Sequence, residues 1–279
     1  ARWDIADTDE REVMRLARAI DVSAPVARIL LARGMSEAGI AREFLSPSLA
    51  SHLHDPSEMY GMDRAVERLR RAIAGGEKIR IVSDYDVDGT TASVILQHTF
   101  RILGAGDLVS YHIPSRFDEG YGFSVVAAER AAADGASVVV TCDIGVRDHR
   151  AVDRAADLGV DVIVCDHHLP PGEDVPGRAH AVLCPKQERC DYPNPELAAC
   201  GLSLKVAQAL LAGHPRQADL VGSLVKIAAI GTVADMVGLN TRENRAIVAV
   251  GLEGLSRPSR NHGLNALLEV SGIANRAVT

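Results

Sequence analysis

Asp84, Asp86 and Asp88 stand at alternate positions in the stretch Ser83-Asp-Tyr-Asp-Val-Asp-Gly89. Packing gives no reason for such a cluster. Like charges this close repel, and burying them is costly unless cations compensate. Hard divalent metals bound through oxygen are the usual compensation. Two blander readings compete. Asp-x-Asp-x-Asp-Gly also opens an EF-hand calcium loop, which needs a bidentate Glu at loop position twelve. Counted from Asp84, that position is Ile95, and the reading fails. The other is a solvated acidic turn, the common fate of a short charge run.

Three further groups join the list. Asp143 lies in Thr141-Cys-Asp-Ile-Gly145, and Asp166 opens Asp166-His167-His168. Asp235 ends Gly231-Thr-Val-Ala-Asp235 after a long apolar run. Taken alone, Asp143 could cap a turn and His167 could be a core histidine satisfied by a carbonyl. Taken together, carboxylates and imidazole without cysteine ligands suit manganese or magnesium and not structural zinc. Two such ions about 3.5–4 Å apart share a bridging carboxylate and hold the attacking and leaving oxygens of a phosphoryl displacement.

The elements that would position these residues follow from the apolar rhythm. Ile79–Val82 reads as a short buried strand that ends in the acids. From Lys78 onward strands and helices alternate: strands 79–83, 108–113, 137–142, 161–165 and 180–183, helices 90–103, 124–134 and 148–158. Ser124 and Asp148 are the expected helix caps. The strands are continuous apolar runs, as buried parallel strands must be. The fold class is therefore α/β, a parallel sheet with helices on both faces. Ligands of such sheets bind at the carboxyl ends of the strands, where Asp84, Asp143 and Asp166–His168 all fall.

A helical N-terminal extension, residues 1–75, precedes the sheet. Asp9–Ile20, a helix capped by Ser23, another capped by Ser36, and Asp63–Ala74 are its expected helices. Residues 44–49 and 54–56 read as loop. Arg64, Arg68, Arg70 and Arg71 form a basic cluster whose simplest reading is a solvated helix face. Beyond the sheet, residues 184–200 read as an irregular loop, and helices are expected over 201–212, 219–232 and 242–253.

Composition narrows the class. The 279 residues are 47% hydrophobic and only 4% aromatic, so a globular core of small and branched aliphatics is expected. The net charge of −7 argues against a protein that coats duplex DNA through a broadly basic surface. Five cysteines without a Cys-x-x-Cys pair fit a reduced, cytoplasmic setting. No uninterrupted apolar run approaches a membrane span, and no secretory segment is visible. A chain that starts at Ala1 and stops at Thr279 is expected to be a fragment.

The combined motifs resemble the DHH phosphoesterase superfamily, and within it the RecJ-type single-strand-specific exonucleases. The wider resemblance rests on Asp166-His-His168 with Asp84-Tyr-Asp-Val-Asp-Gly89, Asp143 and Gly231-Thr-Val-Ala-Asp235, and the narrower one on Asp84-Tyr-Asp-Val-Asp-Gly89, Ile113-Pro-Ser-Arg-Phe-Asp-Glu-Gly-Tyr-Gly122, Phe44-Leu-Ser-Pro-Ser-Leu49, His54-Asp-Pro56 and Glu243-Asn-Arg245. It spans nearly the whole chain. The resemblance implies that Asp86 and Asp143 hold one ion, with Asp84 in support. Asp88, Asp143, His167 and Asp235 would hold the other, so that Asp143 bridges. Asp166 would orient a histidine, and His168 would contact the scissile phosphate or assist the leaving oxygen. Arg116 would clamp a substrate phosphate, against the alternative of a surface arginine in a mobile loop.

Two positions depart from the family pattern, Ile144 after the bridging acid and Ser83 before the first one, and neither is an expected ligand. The family also carries a second domain with a Gly-Gly-His motif, and none occurs in this sequence. The expected organisation is therefore the extension at 1–75, the DHH metal-binding catalytic domain at 76–253, and at 254–279 the start of a connector. The implied activity is 5′-to-3′ hydrolysis of single-stranded DNA to 5′-mononucleotides with two Mn2+ or Mg2+ ions, in repair and recombination. A single-strand-binding protein and a recombination helicase are the implied partners. The rival readings are a small-molecule phosphoesterase of the same superfamily, acting on pyrophosphate, cyclic dinucleotides or oligonucleotides, and a non-catalytic replication scaffold.

Overall fold

A computed structural model describes residues 7–172, 174–257, 261–274 and 276. Three helices open it: α1 (Glu10–Ile20), α2 (Ala24–Ala32) and α3 (Ala38–Leu45). Their apolar faces close a small core of their own around Val13, Leu16, Leu30 and Phe44. Asp9 caps α1 through its carboxylate, whereas Ser23 stands at the start of α2 without a side-chain cap bond. Glu37, not Ser36, precedes α3. A single turn, α4 (Leu49–His52), lies between the two segments expected as loop and takes in only Leu49 of the first.

Helix α5 (Met62–Gly75) has a different allegiance. Met62, Ala65, Leu69 and Ala72 pack into the main core beside the sheet. Among the described residues, the small N-terminal core therefore draws on α1–α3 and the links between them. The basic cluster on α5 is divided as well. Arg68 is 5% exposed and pairs with Glu77 and Asp161, and Arg70 donates to the Ala209 carbonyl. Only part of that cluster is a solvated face.

The sheet is built from β1 (Lys78–Ser83), β2 (Val109–His112), β3 (Ala136–Cys142), β4 (Asp161–Cys165) and β5 (Ala181–Leu183). All pairs are parallel and the order is β2-β1-β3-β4-β5. Alternate residues serve opposite faces. Ile79, Ile81, Val140 and Ile163 join a core with α5, α6 (Val87–Ile102), α9 (Ala199–Leu210) and α10 (Gln217–Ala234). Val82, Val139, Val162 and Val164 join another with α7 (Val125–Ala133) and α8 (His149–Asp157). This is the doubly wound arrangement expected from the sequence. Its strand order reverses between β1 and β3, where ligand crevices form.

Helices α9, α10 and α11 (Arg242–Leu255) complete the layer over the first face, and α12 (His262–Val270) packs through Leu264 and Leu268 onto Leu255 and Ile230. Residues 258–260, 275 and 277–279, part of the expected connector, lie outside the described residues. Among the described residues α10 is the helix long and apolar enough to cross a membrane, but it packs against α6, α9 and α11. Glu243 and Lys205 meet at 2.6 Å, both fully buried, and Lys205 also donates to the His54 carbonyl. Arg245 lies 3.8 Å over the Phe44 ring. Through these contacts α11 and α9 grip the N-terminal segment.

Candidate metal centre

The strand ends set the site. The backbone N–H of Asp84 donates to Cys142 O at 3.0 Å, that of Asp143 to Cys165 O at 2.9 Å, and that of Asp166 to Leu183 O at 3.1 Å. Each acid is thus the first residue beyond its strand, held by one last ladder bond. Asp143 then turns into the left-handed region, φ 67. Such a conformation is uncommon outside glycine, best tolerated by Asp and Asn, and concentrates at functional sites.

Helix α6 begins at Val87, three residues earlier than its apolar pattern predicts. Asp86 is its N-cap, accepting from the Gly89 N–H at 2.9 Å, and Asp88 sits in the first turn. The approach is close: a Cβ on Gly89 would lie 2.7 Å from the Asp84 carbonyl oxygen. Only glycine lets the helix start this near the strand it follows. Helix α9 likewise begins at Ala199, inside the expected loop. Its first N–H groups, Ala199 at 2.7 Å and Cys200 at 2.8 Å, donate to the two carboxylate oxygens of Asp88. Asp88 thus satisfies N–H groups in the first turn of α9 that have no partner within the helix.

Helix α10 delivers the last acid. Asp235 is its C-cap. A Cβ on Gly231 would collide with Thr91 Oγ1 and lie 2.7 Å from Cys200 Sγ, so this glycine lets α10 cross α6 and α9 closely. Met236, the next residue, is again left-handed, φ 61.

All the candidate ligands converge. His167 Nε2 lies 3.2 Å from Asp143 Oδ1, 3.6 Å from Asp235 Oδ2 and 3.8 Å from Asp88 Oδ2. Asp84, Asp86 and Asp143 form a second group with ligand atoms within 4.8 Å of one another. Asp143 belongs to both sides. His168 Nδ1 is 2.7 Å from Asp166 Oδ1 and 3.7 Å from Asp143 Oδ1. Asp166 also accepts from the N–H groups of His168 and Val146. The histidine that Asp166 orients is therefore His168.

The electrostatics of this cluster call for cations. Burial, then the charges of Asp88 and Asp86, push the Asp143 carboxyl up to about 10. Burial likewise raises Asp84 and Asp235 above the ordinary carboxylate range. Asp166 is the contrast: burial works against its charge, but the hydrogen bonds from His168 outweigh that and hold it low. His168 is raised by the same hydrogen bond. Asp143 Oδ1 and both ring nitrogens of His167 are buried without a hydrogen-bond partner. Orphaned buried groups of this kind are costly, and a metal ligand is one way to satisfy them. The donor atoms are oxygens and imidazole nitrogens, a set suited to Mn2+ or Mg2+. Cys142 and Cys165 immediately precede Asp143 and Asp166 but pack into the core, and burial pushes the Cys165 thiol up to about 12.

A loop over residues 113–123 forms one wall. Arg116 stacks over the Tyr85 ring at 4.4 Å. Tyr121 meets His168 edge-on at 6.3 Å and Tyr85 at 6.4 Å. Asp148 was expected to cap α8. It stands at that position, but its carboxylate instead accepts from the Phe123 N–H at 2.7 Å and so ties down the end of this loop. Tyr85, Tyr121 and the N-terminus of α9 were not singled out from the sequence, and Asp148 was singled out only as a helix cap. Tyr85 and Tyr121 lay inside quoted motifs and carried a signal, whereas nothing local marks Ala199.

The DHH family, N-terminal domain, matches residues 78–232. The single-stranded-DNA-specific exonuclease RecJ of Bacillus subtilis is 41% identical over 271 residues, covering 97% of this chain and 33% of the relative. RecJ of Escherichia coli is 34% identical over 223 residues, 77% of this chain and 38% of the relative. The structure of RecJ from Thermus thermophilus in complex with Mn2+ aligns with a TM-score of 0.79 at 27% identity, over 99% of this chain and 38% of that one. A crystal structure of exonuclease RecJ bound to manganese aligns with a TM-score of 0.69 at 31% identity, over 78% and 54%. The chain thus spans roughly a third of the length of the curated relatives it matches. With a DHH match across the sheet and all the acids but one, and with this rim geometry around it, the chain belongs to the DHH family.

Proposed function

We propose that this chain carries the catalytic metal centre of a RecJ-type exonuclease. In this reading it hydrolyses single-stranded DNA from the 5′ end to 5′-mononucleotides with two Mn2+ or Mg2+ ions. One observation carries the proposal: Asp143 Oδ1 and His167 Nε2 are buried without a hydrogen-bond partner and ringed by Asp84, Asp86, Asp88 and Asp235. When bound, two ions would supply Lewis acidity and a water that ionises near neutral pH. Asp86 and Asp143, with Asp84 in support, would hold one, and Asp88, Asp143, His167 and Asp235 the other.

The remaining steps belong to side chains. Asp166 fixes the His168 ring through Nδ1, which leaves Nε2 as the atom to face the scissile phosphate or hand a proton to the leaving oxygen. Arg116 would clamp a phosphate of the strand, and its guanidinium lies over the Tyr85 ring. The names of the relatives supply the single-stranded substrate, and the family resemblance supplies the polarity.

In the same reading residues 76–253 form the catalytic domain and 254–279 begin a connector. The protein works in cytoplasmic repair and recombination with a single-strand-binding protein and a helicase. Five unpaired cysteines fit that reducing compartment. The test is a rate comparison with Mn2+ on 5′-phosphorylated single strands, duplexes, dinucleotides and pyrophosphate, with Asp143→Ala as the control for contaminants. Processive loss of nucleotides from single strands is expected. Preference for pyrophosphate or dinucleotides would assign the site to a small-molecule phosphoesterase, and inactivity on every substrate despite bound metal would favour a scaffold.

A further inference from the structure

Glu243-Asn244-Arg245 takes no part in the chemistry above. Glu243 and Arg245 grip the N-terminal segment, but Asn244 makes other contacts. It is fully buried. Its Nδ2 donates to Glu196 O at 2.6 Å and to Gly238 O at 3.0 Å, and its Oδ1 accepts from Asn194 Nδ2 at 2.8 Å. Both amide hydrogens and the amide oxygen are engaged, and the two carbonyl partners accept only a nitrogen at that position.

Each of those carbonyls lies three residues from a part of the metal centre. Glu196 leads through Leu197 and Ala198 to Ala199, where α9 begins and the N–H groups grip Asp88. Gly238 follows Asp235 by three residues, across the left-handed Met236. We propose that Asn244 is a positioning residue for the metal centre. One side-chain amide ties the start of α9 to the turn after α10, and so fixes the spacing of Asp88 and Asp235 around His167. The Asp84–Asp86–Asp143 side needs no such tie, because the strand ladder and the α6 cap hold it. The inference rests on the two-ion reading above and concerns only one of its two sides.

The experiment is a Mn2+ titration of the whole 279-residue chain by calorimetry, with the melting temperature of the metal-free protein alongside. His167→Ala identifies which binding step belongs to the Asp88–Asp235 side. Asn244→Asp, which turns an oxygen toward the two carbonyls, is expected to weaken that step about 10–100-fold. The other step should not change. Arg245→Leu disturbs the same motif without touching either carbonyl and should leave both steps intact. Equal weakening of both steps, no weakening in Asn244→Asp, or the same selective loss in Arg245→Leu would each overturn the proposal. Should Asn244→Asp fail to fold, Asn194→Ala removes the contact that orients the amide, together with one hydrogen bond to Glu243, and touches neither carbonyl. A smaller loss at the same step supports the proposal, and unchanged binding refutes it. A wild-type chain that binds no Mn2+ sinks the two-ion reading and this inference with it.

Discussion

Among the described residues, two of the buried polar clusters are finished to different degrees. Around Lys205 and Glu243 nearly every atom is spoken for. The ammonium meets the Glu243 carboxylate and the His54 carbonyl, and the carboxylate also accepts from Tyr192, Asn194 and the His54 N–H. Asn194 Oδ1 is the one atom among these left over. At the strand ends the reverse holds: Asp143 Oδ1 and both nitrogens of His167 have no hydrogen-bond partner. Burial opposes charge in both places. It pulls Lys205 down, against the pull of Glu243, and it pushes Asp143 up. A closed network of this kind is a joint in the architecture, while an open one awaits something from outside the chain.

The contrast breaks first at Asp143. Asp143→Asn keeps the shape but removes the shared charge, and should lower turnover on the order of 10³-fold or more, with loss of Mn2+ uptake by calorimetry. Full activity with full metal content would end the comparison. The closed cluster should respond in stability instead. Glu243→Ala leaves a buried ammonium without its partner and should cost about 3–5 kcal/mol in denaturant unfolding. The paired change Glu243→Leu with Lys205→Met should recover most of that loss, and failure to recover would mean the pair is more than a joint.

His168→Ala sharpens the distinction between holding ions and using them. Metal content should stay near wild type while kcat falls about 10²–10⁴-fold. Loss of metal in that variant would place His168 among the ligands. The gentlest test is pH. The metal-free fold binds more protons than the unfolded chain wherever Asp143, Asp84 and Asp235 are raised. Their contribution to stability is complete below the ordinary carboxylate range and fades as pH rises toward about 10 for Asp143. The metal-free melting temperature should therefore drift down with rising pH over that window. The gain on adding Mn2+ should grow with pH, because ligands bind deprotonated. A gain independent of pH would contradict the raised carboxyls.

Much of this was legible in the sequence, and for a physical reason. Buried parallel strands announce themselves as apolar runs, and acids that end such runs stand out against them. Asp84, Asp143 and Asp166 were visible on those grounds alone. The boundaries were less so. The pattern put the start of α6 at Thr90, because the apolar face begins there, while the chain enters the helix at Val87 with Asp86 as cap. Asp88 is expected as a metal ligand, and both its oxygens also anchor α9, which comes more than a hundred residues later. Asp148 looked like a cap and proved to be a loop anchor. Arg68 looked solvated and is buried between Glu77 and Asp161. For Asp88, Asp148 and Arg68 a deciding partner is remote in the chain, and local periodicity carries no record of it.

The last ladder bonds have a practical consequence for anyone editing this protein. Val138, Val139 and Val140 are all buried, as are Val162, Ile163 and Val164, so greasiness on both sides does little to choose one alignment over its neighbour. Inserting one residue into β3 would move its tip by about 3.3 Å and swing Asp143 to the opposite face. Such an edit would spare the hydrophobic interior far more than the rim, so the sheet acts as a gauge block for the spacing of the strand-end acids more than for folding.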